Sequence, residues 1–354
     1  MAIAPSPAFS PPRFDFIAAT PEAMEREPTA LRQGIQRLGD RHLLTLKVPT
    51  AWGGQGLNRH EFFRFQQALT RHSGTLAFTQ TQHQSAANFI ANGENAALKV
   101  AYLPAMAQGQ ILVGVGYSQL RRSGPPSLRA MPSDRGYHLT GTIPWITGWG
   151  IFQTAVIAAT LPNGCTVWGL LPLQPTPTVT FSAPLPLVGM PATQTVSVTF
   201  TDYELTHDRV LDQKPPDWIS RKDETGVLNA SAFSLGAAQA ALDLVQAASQ
   251  QFPELLSSYQ NLARQFVAAQ TAIEAALVDP ETSLARQIEL RGTAIALAGR
   301  CAQAAVTVSR GAANQLSHPA GRIYREVLLF TVSGQTPAVL AATLGQIAQA
   351  ESSV

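Results

Sequence analysis

Apolar positions change their period twice along this chain. Between residues 22 and 109 they recur at intervals of three and four: Leu31, Ile35 and Leu38, then Phe62, Phe65 and Leu69, then Leu98, Tyr102 and Met106. That spacing puts each set on one face of a helix. The segment Pro49-Thr-Ala-Trp-Gly-Gly-Gln-Gly56 interrupts the pattern with glycines and predicts a loop. From 111 to 212 the character changes. Runs at 111–117, 137–143, 154–160, 166–171 and 195–200 are rich in β-branched and aromatic residues, with Pro, Gly, Asn or Asp between them. Val196, Val198 and Phe200 alternate with Ser197 and Thr199, the period of a half-buried strand. No helical crossovers separate these runs, and no GxGxxG follows a strand. A barrel or sandwich is therefore expected in place of a doubly wound sheet.

Lys214-Pro215-Pro216-Asp217 reads as a linker. Beyond 226 the chain is rich in Ala, Leu and Gln and poor in breakers, which predicts several helices. Leu235, Ala238, Leu242 and Val245 form one stripe. Ala294, Leu297, Ala298, Cys301, Ala305 and Val308 form another. Small residues on these faces permit close helix packing. The organisation predicted is α+β: a flexible leader at 1–20, an N-terminal helical domain at 21–110, a middle β-barrel or sandwich domain at 111–212, and a C-terminal four-helix-type bundle at 213–354.

Composition narrows the function. The chain has 354 residues, 45% apolar and 14% charged. It is long enough for two or three domains. A net charge of +2, with no basic stripe, argues against nucleic acid. No run of about 18 apolar residues suggests a membrane span. Cys165 and Cys301 fit no motif and read as free thiols in a reducing cytoplasm. The N-terminus lacks a cationic segment leading into an apolar one, so no signal peptide is expected. The scattered histidines lack metal-ligand spacing, and no metal site is expected. No Ser, His and Asp cluster in a nucleophile-elbow context.

The most informative stretch is Tyr-His-Leu-Thr-Gly-Thr-Ile-Pro-Trp-Ile-Thr-Gly-Trp at 137–149. In an extended strand, side chains two apart share a face, so Trp145 and Thr147 would present a flat aromatic beside a hydroxyl. That pairing suits a flat heteroaromatic ring with polar edges, such as a flavin.

Helices, then a β domain holding Trp-Ile-Thr, then a bundle: this order resembles the acyl-CoA dehydrogenase superfamily. Val48-Pro49-Thr-Ala-Trp-Gly53-Gly54-Gln-Gly56 looks like its V-P-x-x-x-G-G-x-G segment. Gly93-Glu94 followed by Tyr102-Leu103-Pro104, the Gln108-Gly109-Gln110 turn and the position of His83 are similar too. Leu235-Gly236-Ala-Ala-Gln-Ala resembles L-G-x-A-x-A. Pro319, Arg322, Arg325 and Glu326 fit the closing motif, where the two arginines read as members of structural ion pairs. The resemblance implies a flavoprotein oxidoreductase that binds FAD and takes a small-molecule substrate, with acyl-CoA as the model. It also implies a homodimer or homotetramer, for which Ala294, Leu297 and Ala298 offer an apolar face. Residue by residue, it implies that Trp145, Ile146 and Thr147 contact the ring. Tyr117 and Ser118 take the place of an aromatic or small residue followed by Thr, and Ser123 loosely replaces a Gly-Ser serine.

The departures bear on the chemistry. The Arg that holds the adenylate half of FAD in the family has no equivalent near Phe252–Tyr259, and neither Arg264 nor Arg286 has the right spacing. The family's catalytic Glu, which takes the proton α to the thioester carbonyl, is replaced by Gly334, or by Ser333 with a one-residue gap. An alternative family position, on the first bundle helix, is Gly226. Glu224 lies two residues away, about 200° around a helix. Three functions stay open. One is oxidation of the CH–CH bond of an acyl thioester or similar substrate. Another is a reduced-flavin-dependent monooxygenase, with reduced FMN or FAD as co-substrate and His318 and Ser118 as candidate groups beside the ring. The last is a non-catalytic flavin or acyl binder, or a scaffold.

Overall fold

The computed structural model describes residues 9–349. Five helices come first: α1 (Pro21–Arg26), α2 (Pro28–Gly39), α3 (Arg59–His72), α4 (Gly74–Asn92) and α5 (Ala96–Ala107). Several starts are sequence-encoded. Asn58 caps α3 in a reciprocal box with Glu61, and Ser73 caps α4. The predicted faces are the buried ones: Leu31, Ile35, Leu38, Phe65, Leu69 and Met106 have no exposed surface. The glycine-rich loop is present, with Gly53 and Gly56 in the left-handed region at φ 82° and 65°.

Half of the expected leader is not free. Residues 1–8 lie outside the described residues, but Phe14 and Ile17 are buried in the main core, and Phe9 packs against Phe65. The prolines that suggest a leader are interleaved with apolar residues that find a groove over α3.

Eight strands follow: β1 (Val113–Gly116), β2 (Leu128–Ser133), β3 (Gly136–Ile146), β4 (Thr154–Thr160), β5 (Thr166–Pro172), β6 (Val179–Phe181), β7 (Val196–Thr206) and β8 (Val210–Lys214). They form one central sheet in the order β6-β7-β3-β2-β4-β5-β8, with β1 pairing parallel to β4. Three of these strands, β2, β6 and β8, lie outside the β-rich runs of the sequence. In β2, Pro132 is opposite Tyr137, and the strand meets β4 only at Arg129, so the missing N–H costs no ladder bond on that side. β4 is buried from Thr154 to Ala159 because α4 and α5 cover one face and the main core covers the other.

The chain then returns to helix: α6 (Trp218–Thr225), α7 (Ser231–Gln251), α8 (Leu256–Val278), α9 (Leu284–Ser309), α10 (Pro319–Val332) and α11 (Pro337–Gln349). α9 packs against α7, α8, α10 and α11, and α3 packs against α7. Gly236 permits the α3–α7 approach, since a Cβ there would lie 2.5 Å from the Gln67 carbonyl. The Ala294, Leu297 and Ala298 face expected at a subunit interface is buried within this bundle. The exposed apolar stripes are elsewhere: Tyr324, Leu328 and Val332 on α10, and Leu340, Leu344 and Ile347 on α11.

Arg322 and Arg325 make the expected ion pairs, and they bridge the two ends of the chain. Arg322 reaches Glu22 at 3.0 Å and Glu326 at 2.6 Å. Arg325 forks onto Glu25 at 2.8 and 2.7 Å. Glu25 and Glu326 are completely enclosed. Removing one partner of such a pair strands a buried charge. Arg325→Met is expected to cost about 3–5 kcal/mol in urea unfolding, with part recovered by Glu25→Gln in the same chain. A cost below about 1 kcal/mol would show that the pair does not anchor α10.

Candidate active site

The predicted ring contacts come from two neighbouring segments. β1 ends at Gly116 against Ile146, where a Cβ would lie 2.6 Å from the isoleucine side chain. The 3₁₀ turn that follows, Ser118–Arg121, packs on β3. Tyr117 and Ser118 therefore lie beside the end of β3 that carries Trp145. The six side chains divide by direction. Ser118, Ser123 and Trp145 face outward, and Trp145, 42% exposed, is the most exposed of the five tryptophans. Ile146 points into the core, fully buried, so it supports the seat from behind. Thr147 lies just past the strand, and its hydroxyl meets Thr195 at 3.2 Å, which in turn is 3.3 Å from Thr193. Ile143 and Ile146, three apart across an irregularity in the β3–β7 ladder, are both fully buried, and the strand stops at Ile146, before Thr147.

Tyr117 is enclosed in an aromatic cluster. Phe89 stacks on Trp168 at 4.5 Å, and Tyr117 lies 5.0 Å from Trp168 and 5.2 Å from Phe89. Lys222, from α6, closes the cluster with its ammonium 4.6 Å from the Phe89 ring, donating to the Tyr117 hydroxyl at 3.2 Å. The adjacent Asp223 accepts two hydrogen bonds from Arg121, at 2.7 and 2.8 Å. α6 is thus pinned onto the turn that follows Tyr117.

Behind that turn is a cavity of about 450 Å³. Its walls include Leu120, Ser123, Val227, Leu284, Gln335 and Glu224. The count back from Gly236 to Gly226, which discounts Glu224, carries one helix across a break. α6 stops at Thr225, the chain turns through 226–230, and α7 begins only at Ser231. Glu224 shares this cavity with Gln335 and Thr336, in the loop where the resemblance to the family leads one to look for the catalytic Glu. In that loop Ser333 ends α10, and Gly334 takes φ 64° with open space around it. His318 is the N-cap of α10, its Nδ1 accepting from the Ala320 N–H at 3.2 Å, and it does not line this cavity. Arg264 is exposed, and Arg286 pairs with Glu289.

Residues 15–110 match the family model for the acyl-CoA dehydrogenase N-terminal domain. That match covers the N-terminal part of the chain, and relatives and solved structures that are similar over more of it are acyl-CoA dehydrogenases. It is 25% identical over 235 residues to the mitochondrial very long-chain specific acyl-CoA dehydrogenase of Rattus norvegicus, a match covering 61% of this chain and 34% of that protein. The matched stretch thus spans about a third of those curated relatives. Isovaleryl-CoA dehydrogenase of Pongo abelii is 23% identical over 190 residues, 51% of this chain and 45% of that one. The fold is shared with butyryl-CoA dehydrogenase from Megasphaera elsdenii, at a TM-score of 0.76 and 20% identity, covering 89% of this chain and 90% of that one. It is shared equally with an acyl-CoA dehydrogenase from Geobacillus kaustophilus, at a TM-score of 0.76 and 16% identity over 89% and 90% of the two chains.

His83, at a position where the superfamily often has histidine, is structural in this chain. Its Nδ1 accepts from the Val113 N–H at 3.0 Å, and its Nε2 donates to the Met106 carbonyl at 3.2 Å, tying α4 to α5 and β1. A proton on Nδ1 would face another N–H. Burial pushes the imidazole pKa down from 6.5 to about 4. Above pH 6.5 the ring is neutral in folded and unfolded chains alike; as pH falls from 6.5 through about 4, only the unfolded chain takes up the proton. The wild type is expected to lose about 3 kcal/mol more than His83→Gln across that window, read from urea unfolding at stepped pH. Parallel pH profiles for the two proteins would show that His83 titrates normally.

Proposed function

We propose that this chain is a flavin-dependent oxidoreductase acting on the CH–CH bond of an acyl thioester or a similar substrate. The observation that carries the proposal is Trp145, a large flat side chain left exposed at the end of a central strand that packs on the 3₁₀ turn begun by Ser118. A bound flavin would rest its ring on Trp145, with Ser118 placed to hydrogen-bond a polar edge. FAD is the cofactor the family implies. The residues here fit the ring and offer no arginine held for an adenylate. When bound, the flavin supplies a hydride acceptor. Of the two carboxylates at the adjoining cavity, Asp223 pairs with Arg121, which leaves Glu224 as the base for the α proton. Leu120, Val227 and Leu284 give that cavity apolar walls suited to an acyl chain. The absence of a carboxylate from the 333–336 loop favours a second reading, a reduced-flavin monooxygenase with reduced FMN or FAD as co-substrate. The exposed stripes on α10 and α11 support a homodimer or homotetramer. Among the described residues no helix is long and apolar enough to cross a membrane.

An absorption spectrum of the purified protein, with and without added FAD, tests the seat. Trp145→Ala is expected to weaken flavin binding by at least tenfold, and unchanged affinity would return Trp145 to a packing role. With flavin bound, anaerobic acyl-CoA should bleach the wild type and leave Glu224→Gln at least a hundredfold slower. Oxygen uptake with reduced flavin, indifferent to Glu224→Gln, would favour the monooxygenase. Failure to bind flavin in either redox state overturns both readings. Light scattering should give at least twice the chain mass, and a monomer would remove the assembly proposal.

A further inference from the structure

A second cavity, of about 230 Å³, lies between α3, α4 and the start of α7. Three cations border it from separate parts of the chain: Lys47 before α3, Arg59 on its first turn, and Lys222 on α6. No Asp or Glu lines it, and among the described residues none of the three cations makes an ion pair. Their present partners are neutral. The Arg59 Nε donates to the Asn229 side chain at 2.8 Å, Lys222 donates to the Tyr117 hydroxyl, and Lys47 faces the Phe62 ring at 5.7 Å. Arg59 Nη2, Thr81 Oγ1 and Gln66 Oε1 are buried without a hydrogen-bond partner.

Such a group is unfavourable without an anion. Like charges repel across the cavity, and each unpaired buried polar atom carries an unrecovered desolvation cost. Burial holds the Lys47 ammonium below its usual range, with the fields of Arg59 and Lys222 adding to it. Burial likewise lowers the Arg59 guanidinium.

We propose that this cavity binds a small monocarboxylate with an apolar body, its carboxylate held by Lys47, Arg59 and Lys222. Arg59 Nη2 donates to one oxygen and the two ammonium groups flank the other. Phe62, Phe63 and Phe233 line the cavity and receive the apolar body. The volume is below the range usual for drug-sized ligands, which limits the guest to a compact acid. The site is separate from the cavity that holds Glu224, and it does not depend on the flavin reading.

The test is calorimetric titration of the full-length protein, as purified, with benzoate, hexanoate, benzamide and inorganic phosphate at neutral pH. Benzoate or hexanoate should bind at least tenfold more tightly than benzamide, and more weakly as salt rises. Arg59→Gln and Lys47→Met should each weaken the bound acid at least tenfold while leaving the urea midpoint close to wild type, and Arg59→Lys should recover part of the loss. If Arg59→Gln does not fold, Lys47→Met and Lys222→Met carry the same comparison. Equal binding of benzamide, preference for phosphate, no binding of either acid, or wild-type affinity in the folded variants would each overturn the proposal.

Discussion

The carboxylate of Glu326 is the fixed point of this molecule. It is fully enclosed, and it accepts from the Thr75 backbone N–H at 2.9 Å and the Thr75 hydroxyl at 3.0 Å, with Arg322 on its other oxygen. Thr75 lies in the first turn of α4, so a negative charge sits where that helix's unpaired N–H groups and dipole attract one. Gly74 leaves the room, since a Cβ there would lie 2.8 Å from the carboxyl group. Burial raises the Glu326 pKa, and Arg322 and the Thr75 hydrogen bonds oppose that rise. A residue near the C-terminus thereby sets the position of the longest N-terminal helix.

That placement governs the rest. α4 carries His83, which fixes β1, and Phe89, which builds the aromatic cluster around Tyr117. It also contributes Thr81 and Ser85 to the small cationic cavity. The end of β1 in turn aligns the Ser118 turn against β3, where Trp145 is exposed. The fold shared with butyryl-CoA dehydrogenase is kept in this chain, with the sheet held between the N-terminal helices and the C-terminal bundle.

The architecture is legible in the sequence because it rests on local rules. Periods of three to four and of two mark the helices and the longer strands, and caps and glycines mark several boundaries. The remainder is decided by geometry that a period cannot encode. Pro132 hides β2 because the strand has little partner on one side. Phe14 and Ile17 lie among prolines, and only a groove formed by distant helices reveals them as core. The strand that carries Trp145 stops at Ile146, one residue before Thr147, an end that the apolar period does not mark. Glu224 falls out of view when residues are counted around a helix that in fact stops one residue later. Lys47, Arg59 and Lys222 come from three unconnected segments, and only the fold makes them neighbours.

α6 has no buried residue, and side chains alone hold it: Lys222 on Tyr117, Asp223 on Arg121 and Trp218 against Trp168. Yet it supplies walls to three spaces. Ile219, Asp223 and Glu224 face the larger cavity, Lys222 the smaller one, and Trp218 with Lys222 a third of about 310 Å³ beside Phe89. The same short helix, held by a few side-chain contacts, is a wall common to all three spaces. If a guest in one chamber changes the affinity of its neighbour by moving this wall, the neighbour changes the affinity of that guest by the same factor. Eight residues of surface helix thus form a common wall through which separate chambers can exchange coupling free energy.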